Sequence, residues 1–133
     1  LFRSANDSAR VRFLGFVADD DLAALYAGAV ALCYPSIREG FGLPILEAMS
    51  HGTPVVTSRG GATEEVADGA AELVEPLDVS SIADGIVRAM ANRAELAVRG
   101  RARAEQMTWR RTAEATLAVY AEALADPIDR KRR

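Results

Sequence analysis

The chain has 133 residues, half of them hydrophobic and 26% charged, with a formal net charge of −3. That length suits one domain around one core, and that balance excludes a disordered chain. Acids and bases are mixed along most of the sequence, which argues against bulk nucleic-acid binding, and no apolar run is long enough to span a bilayer.

Val11 to Phe16 reads as a strand. Asp19, Asp20 and Asp21 read as a helix cap of dipole-matched acids, more simply than as a metal motif. Leu22, Leu25 and Tyr26 give the following helix its apolar face. Val30 to Tyr34 is apolar and strand-sized, and Pro35 and Ser36 end it. A glycine-bearing loop, Arg38 to Gly42, leads into a helix over Leu43 to Met49, with Pro44 tolerated in the first turn. Gly52 closes that helix. Pro54 to Ser58 is a further strand, Thr63 to Ala67 a short helix and Ala71 to Val74 a strand.

Val79, Ile82, Ile86, Ala89 and Met90 recur at helical spacing, so residues 79–92 form an amphipathic helix. Residues 94–106 form a polar helix rich in Ala, Arg and Glu. Ala113, Leu117, Tyr120, Ala121 and Leu124 mark a last helix, which Asp126 and Pro127 stop. Trp109 is expected to anchor that helix in the core. The basic tail over 126–133 reads as a solvated, frayed end, with contact to anionic lipid or phosphate as the other reading. Leu1 opens into a polar stretch without a signal peptide, and a first residue other than Met suggests a chain cut from something longer.

Strands alternating with helices over short connections make a parallel sheet covered on both faces. The expected class is therefore α/β, a Rossmann-like sheet of about four strands flanked by helices, with extra C-terminal helices. Further strands are expected before Leu1. Cys33 is the only cysteine, so no intrachain disulfide forms. Within the run Val30 to Tyr34 it is expected to be a core thiol rather than a nucleophile, since His51 is the only available histidine base. His51 itself falls near a helix C-terminus, where a cation is favoured.

The chemistry concentrates between Pro35 and Met49. At the carboxyl end of a parallel strand such a loop lies at the ligand-binding edge of a sheet. Gly40 and Gly42 let the backbone approach a ligand. The amides of Phe41, Gly42 and Leu43 are free donors at a helix N-terminus, where a phosphate or diphosphate is the natural guest. Glu39 in the loop and Glu47 inside the helix offer carboxylates that accept from vicinal hydroxyls. Glycosidases also use two carboxylates, but the sequence does not give their separation. Surface glutamates beside a plain helix cap are the bland alternative. Arg38, in the loop, faces the site and meets phosphate or is simply a solvated loop arginine.

From Val11 on, the sequence resembles the C-terminal domain of the group 1 (family 4) glycosyltransferases. The matching pieces run in order: Arg12 to Val17, Leu25 to Ala29, Tyr34-Pro35-Ser36, then Glu39-Gly40-Phe41-Gly42 to Glu47-Ala48-Met49, the family's E-x7-E element. Gly52 to Val56, Gly60-Gly61, Glu65-Val66, Val74 to Asp78 and Thr108-Trp109 follow. The resemblance implies the C-terminal half of a GT-B fold and retaining transfer from a nucleotide-diphosphate sugar, with that sugar as co-substrate and neither cofactor nor metal required. It implies that Glu39 is the catalytic-site glutamate, holding donor-sugar hydroxyls. Gly40, Phe41, Gly42 and Leu43 then meet sugar and diphosphate, Glu47 the ribose, and Val17 and Asp19 the base. Residues 1–125 are accordingly expected to be a donor-binding domain.

Two departures qualify this. The family's diphosphate-binding Arg and Lys have no match in Leu1 to Arg10. The acceptor, whether a sugar, a lipid or another small molecule, would bind mainly on a domain this chain lacks, so the chain alone is expected to be inactive. Rival readings are a nucleotide-sugar epimerase of the same architecture and a non-catalytic nucleotide-sugar-binding or scaffold domain. A glycogen-type phosphorylase needs a cofactor lysine, and Lys131 in the tail is the only lysine. UDP, GDP and ADP sugars remain open as donors. The arginine bias suggests a bacterial source, and cysteine usage a cytoplasmic site, with the inner membrane face open to the parent protein.

Overall fold

The structure, a computed structural model, describes residues 11–125. The basic tail read above as a frayed end lies outside the described residues, as does Leu1 to Arg10. The elements run α1 (Asp19–Gly28), β1 (Leu32–Tyr34), α2 (Leu43–Ser50), β2 (Val55–Ser58), α3 (Gly61–Ala67), β3 (Glu72–Val74), α4 (Val79–Ala91), α5 (Arg93–Gln106) and α6 (Trp109–Ala125).

The three strands form one parallel sheet in the order β1-β2-β3, with Cys33 opposite Val56 and Thr57 opposite Leu73. Every residue of the central strand β2 is buried. Successive strand side chains point to opposite faces, so Val55 and Val56 feed two separate cores. Val55 joins Ile45, Leu46 and Met49 of α2 and Val66 and Ala67 of α3. Val56 joins Val74, Ala89 of α4 and Leu96 of α5. Gly85 lets α4 lie close on this second face, since a Cβ there would stand 2.3 Å from Val74 Cγ1. Asp78 caps α4, its carboxylate accepting from the amides of Ser80 at 2.8 Å and Ser81 at 3.2 Å.

Helix α5 packs along α2 and across the C-terminal ends of α2 and α3. Its arginines satisfy carbonyls that helix ends leave unbonded. Arg101 donates to the carbonyl of His51 at 3.3 Å, and Arg103 to those of Val66 at 2.8 Å and Glu65 at 3.0 Å. Arg103 also pairs with Asp68 at 3.3 Å. The sheet and these two helices thus fix the direction in which α2 points.

Four expectations are corrected. Val11 to Phe16 is not a strand: among the described residues it has no ladder partner, and Phe16 is 95% exposed. An extended segment becomes a strand only against a neighbour. The described sheet therefore has three strands rather than about four. Cys33 is exposed, because β1 is an edge strand of the described sheet and Cys33 faces away from the Leu32 and Tyr34 side that packs on α2. Trp109 is 77% exposed and no residue of α6 is buried, so this helix is not anchored in the described core. The acids Asp19 to Asp21 occupy the first turn of α1, as their dipole match requires, but the cap residue is Ala18, without a side-chain bond. No helix among the described residues is long and apolar enough to cross a membrane.

Candidate functional site

The loop between β1 and α2 is held from the neighbouring strand. Buried Thr57 donates its hydroxyl to the Tyr34 carbonyl at 3.0 Å, and buried Ser58 donates to the Ser36 carbonyl at 2.6 Å. Hydroxyls at the carboxyl end of β2 thereby fix where β1 ends and where the glycine loop begins. The loop then turns into α2 through Gly42, whose φ of 100° is left-handed and favours glycine. A Cβ at this position would also press on Ile45 Cδ1 at 3.2 Å. Ile45 donates back to the Gly42 carbonyl at 3.0 Å and closes the first turn.

This turn leaves the amides of Phe41, Gly42 and Leu43 without a hydrogen-bond partner among the described residues. No side chain caps α2, and its first turn holds no acid, whereas α1 has three. The positive end of the α2 dipole is thus uncompensated within its own first turn. The Gly40 amide differs, since it donates to Glu39 Oε1 at 3.3 Å.

Each glutamate meets a tyrosine from an earlier element. Tyr34, the last residue of β1, donates its phenol to Glu39 Oε2 at 2.5 Å. That bond first, then burial and the Glu39 charge, push the Tyr34 pKa up. Tyr26 of α1 donates to Glu47 Oε2 at 3.1 Å. Burial first, then the bond and charge of Glu47 and the neighbouring Tyr34, push the Tyr26 pKa up to about 12. Both phenols are therefore donors at neutral pH. His51 caps α2 at its C-terminus as expected, its Nδ1 lying 2.9 Å from the Glu47 carbonyl oxygen.

Two cavities border these residues, and a third lies beside α1. One of about 630 Å³ is lined by Phe41, Leu43, Leu46 and Glu47 on one side and Met107 and Trp109 on the other. A second, of about 390 Å³, brings Glu39 and Arg38 beside Gly60 and Gly61. The third, of about 470 Å³, runs past Leu14, Phe16, Val17, Asp21 and Leu25. The predicted residues of the glycine loop and α2 are therefore contiguous, with Glu39 and Glu47 opening on different cavities. Val17 lines the third cavity, and Asp19 lines none of the three.

Sequence reasoning missed the tyrosines as partners of the carboxylates. Tyr26 precedes Glu47 by 21 positions, and its spacing with Leu22 and Leu25 marks only an apolar helix face. Tyr34 ends a strand-like run, so it too reads as core.

Residues 2–92 match the family described as Glycosyl transferases group 1. O-antigen chain mannosyltransferase B of Escherichia coli is 42% identical over 113 residues, which cover 83% of this chain and 30% of that protein. MMP alpha-(1->4)-mannosyltransferase of Mycolicibacterium hassiacum is 45% identical over 116 residues, covering 82% of this chain and 28% of that protein. Among solved structures, the sucrose-phosphate synthase of Thermosynechococcus elongatus superposes with a TM-score of 0.76 at 33% identity, over 87% of this chain and 31% of that one. The chain spans under a third of the length of these proteins. Its parallel sheet and flanking helices are those of a Rossmann-like domain of the GT-B fold. The chain belongs to the group 1 glycosyl transferases.

Proposed function

We propose that this chain provides the donor site of a retaining glycosyltransferase that uses a nucleotide-diphosphate sugar. The observation that carries the reading is the start of α2. Three amides without partners stand at an uncompensated helix N-terminus, between two carboxylates already oriented by phenols. In this reading the amides of Phe41, Gly42 and Leu43 receive the diphosphate, and Gly40 gives the ligand room beside them. Glu39 holds hydroxyls of the transferred sugar, and Glu47 holds the ribose diol. Val17 and Asp19 border the base. The acceptor binds on a part of a longer protein outside this chain, and the chain alone does not transfer sugar.

Breaking the sugar–phosphate bond builds positive charge on the anomeric carbon and negative charge on the departing diphosphate. Donors aimed at that phosphate stabilise the transition state more than the ground state, because the charge they meet grows along the reaction. Removing one such donor typically costs roughly 10² to 10³ in rate. Glu39 acts through orientation, by holding the sugar over the leaving group. Both relatives described above are named mannosyltransferases, so mannose is the first sugar to test.

The test is a calorimetric titration of the chain with UDP, GDP and ADP, repeated on Glu47→Ala. Saturable binding of at least one nucleotide, weakened by the substitution, supports the donor site. Equal affinity in the variant, or no binding to either protein, removes the support for it.

A further inference from the structure

We propose that Tyr26 is a positioning residue for Glu47, and that it sets the preference of this site for a ribonucleotide over its 2′-deoxy analogue. The inference rests on the reading of Glu47 as the ribose ligand and deepens it.

Tyr26 belongs to α1, outside the glycine loop and α2, yet its phenol reaches Glu47 Oε2 at 3.1 Å. The tyrosine is itself fixed at both ends. Its ring packs on the core cluster built around α2, with the His51 ring centroid 6.1 Å away. Its carbonyl accepts from the hydroxyl of buried Thr53 at 2.5 Å, in the turn between α2 and β2.

Glu47, by contrast, is exposed on the helix surface. An exposed glutamate samples several rotamers, and ordering it on a ligand costs conformational entropy. The phenol meets that cost before the ligand arrives. It also divides the carboxylate: Oε2 takes the phenol, while Oε1 has no partner among the described residues. A carboxylate oxygen has two lone pairs, so both oxygens can still accept from hydroxyls. A vicinal diol gains most when the carboxylate plane is already turned toward both of its hydroxyls. A 2′-deoxyribose, with one hydroxyl fewer, gains less. Orientation by Tyr26 therefore acts on the difference between the two sugars. A tyrosine that only packed against α2 would leave that difference untouched when its hydroxyl was removed.

The experiment measures the affinity of the chain for UDP, GDP and ADP and for the 2′-deoxy form of each, in wild type, Tyr26→Phe and Tyr34→Phe. Wild type favours the ribo form of the nucleotide it binds. Tyr26→Phe lowers that ratio by roughly three- to tenfold, about the worth of one hydrogen bond. Tyr34→Phe, which acts at Glu39, leaves the ratio unchanged. In a Glu47→Ala background Tyr26→Phe has no further effect, because its target is gone. Phenylalanine keeps the ring and its packing. Should that variant not fold, Thr53→Val, which removes the Thr53 hydroxyl from the Tyr26 carbonyl and leaves it only the Ala29 amide, takes its place and is expected to lower the ratio in the same direction. A wild-type ratio in the position-26 variant, or an equal fall in Tyr34→Phe, overturns the proposal and leaves Glu47 as the ribose ligand. A wild-type protein with no Glu47-dependent ribose preference overturns the donor-site reading as well.

Discussion

The phenol of Tyr34 donates to Glu39 Oε2 at 2.5 Å, tying the end of β1 to the carboxylate that opens the glycine loop. Because the bond to Glu39 is the first cause of the raised Tyr34 pKa, Glu39→Gln is expected to bring that phenol back toward its ordinary value of 10.0. Tyr26 should stay high in the same variant, since burial is its first cause. Phenolate absorbance, with Tyr→Phe variants to assign each step, reads both. A Tyr34 titration unmoved by Glu39→Gln contradicts the pairing.

Tyr26 also makes stability depend on alkaline pH. Its folded pKa of about 12 lies above the ordinary 10.0, so the fold favours the protonated phenol. Its contribution is complete below pH 10.0 and is lost as pH rises from there through about 12. Denaturant unfolding over that range should show stability falling in wild type and a shallower fall in Tyr26→Phe. Equal slopes would contradict the assignment.

Gly40 separates a need of the chain from a need of the ligand. A Cβ built on it meets nothing within 4 Å and its φ is not in the left-handed region, so the protein itself tolerates alanine there. Gly40→Ala is expected to change stability by no more than about 0.5 kcal/mol, as at an unconstrained surface site. Nucleotide-sugar affinity should nonetheless fall, because the methyl stands where the ligand approaches the backbone. Unchanged affinity would mean that Gly40 has no role in binding.

Gly85 presents the opposite case. A methyl there would lie 2.3 Å from Val74 Cγ1 and 3.2 Å from Val56 Cγ1, both in the second core. Overpacking of this kind costs about 1–3 kcal/mol, more than the roughly 1 kcal/mol that alanine gains over glycine in a helix. Gly85→Ala should lower the denaturation midpoint, and a more stable variant would contradict the close packing of α4 on the sheet.

The sequence made the local elements legible where the signal was local. Pro44 in the first turn and Gly52 beyond the end bracketed α2 to within a residue, and β-branched Val55, Val56 and Thr57 marked the central strand. The glycine loop and α2, with their amides and two glutamates, were legible because all these parts lie in one short segment. What stayed hidden depends on distant partners. Val11 to Phe16 has strand composition but no ladder, and Cys33 has core composition but an edge position. The α5 arginines look like a solvated charge run, yet Arg101 and Arg103 bond to carbonyls at the ends of α2 and α3. Tyr26 and Tyr34 were legible as apolar bulk, while their hydroxyl partners follow only from the packing of α1 and β1 on α2.

The most direct measurement is an amide NMR titration of the chain with the nucleoside diphosphate it binds best. The donor-site account expects the largest shifts at the amides of Phe41, Gly42 and Leu43, with smaller ones at Tyr26 and Glu47, all suppressed in Glu47→Ala. Saturable shifts centred elsewhere, with those three amides unmoved, would contradict the claim that the start of α2 receives the diphosphate.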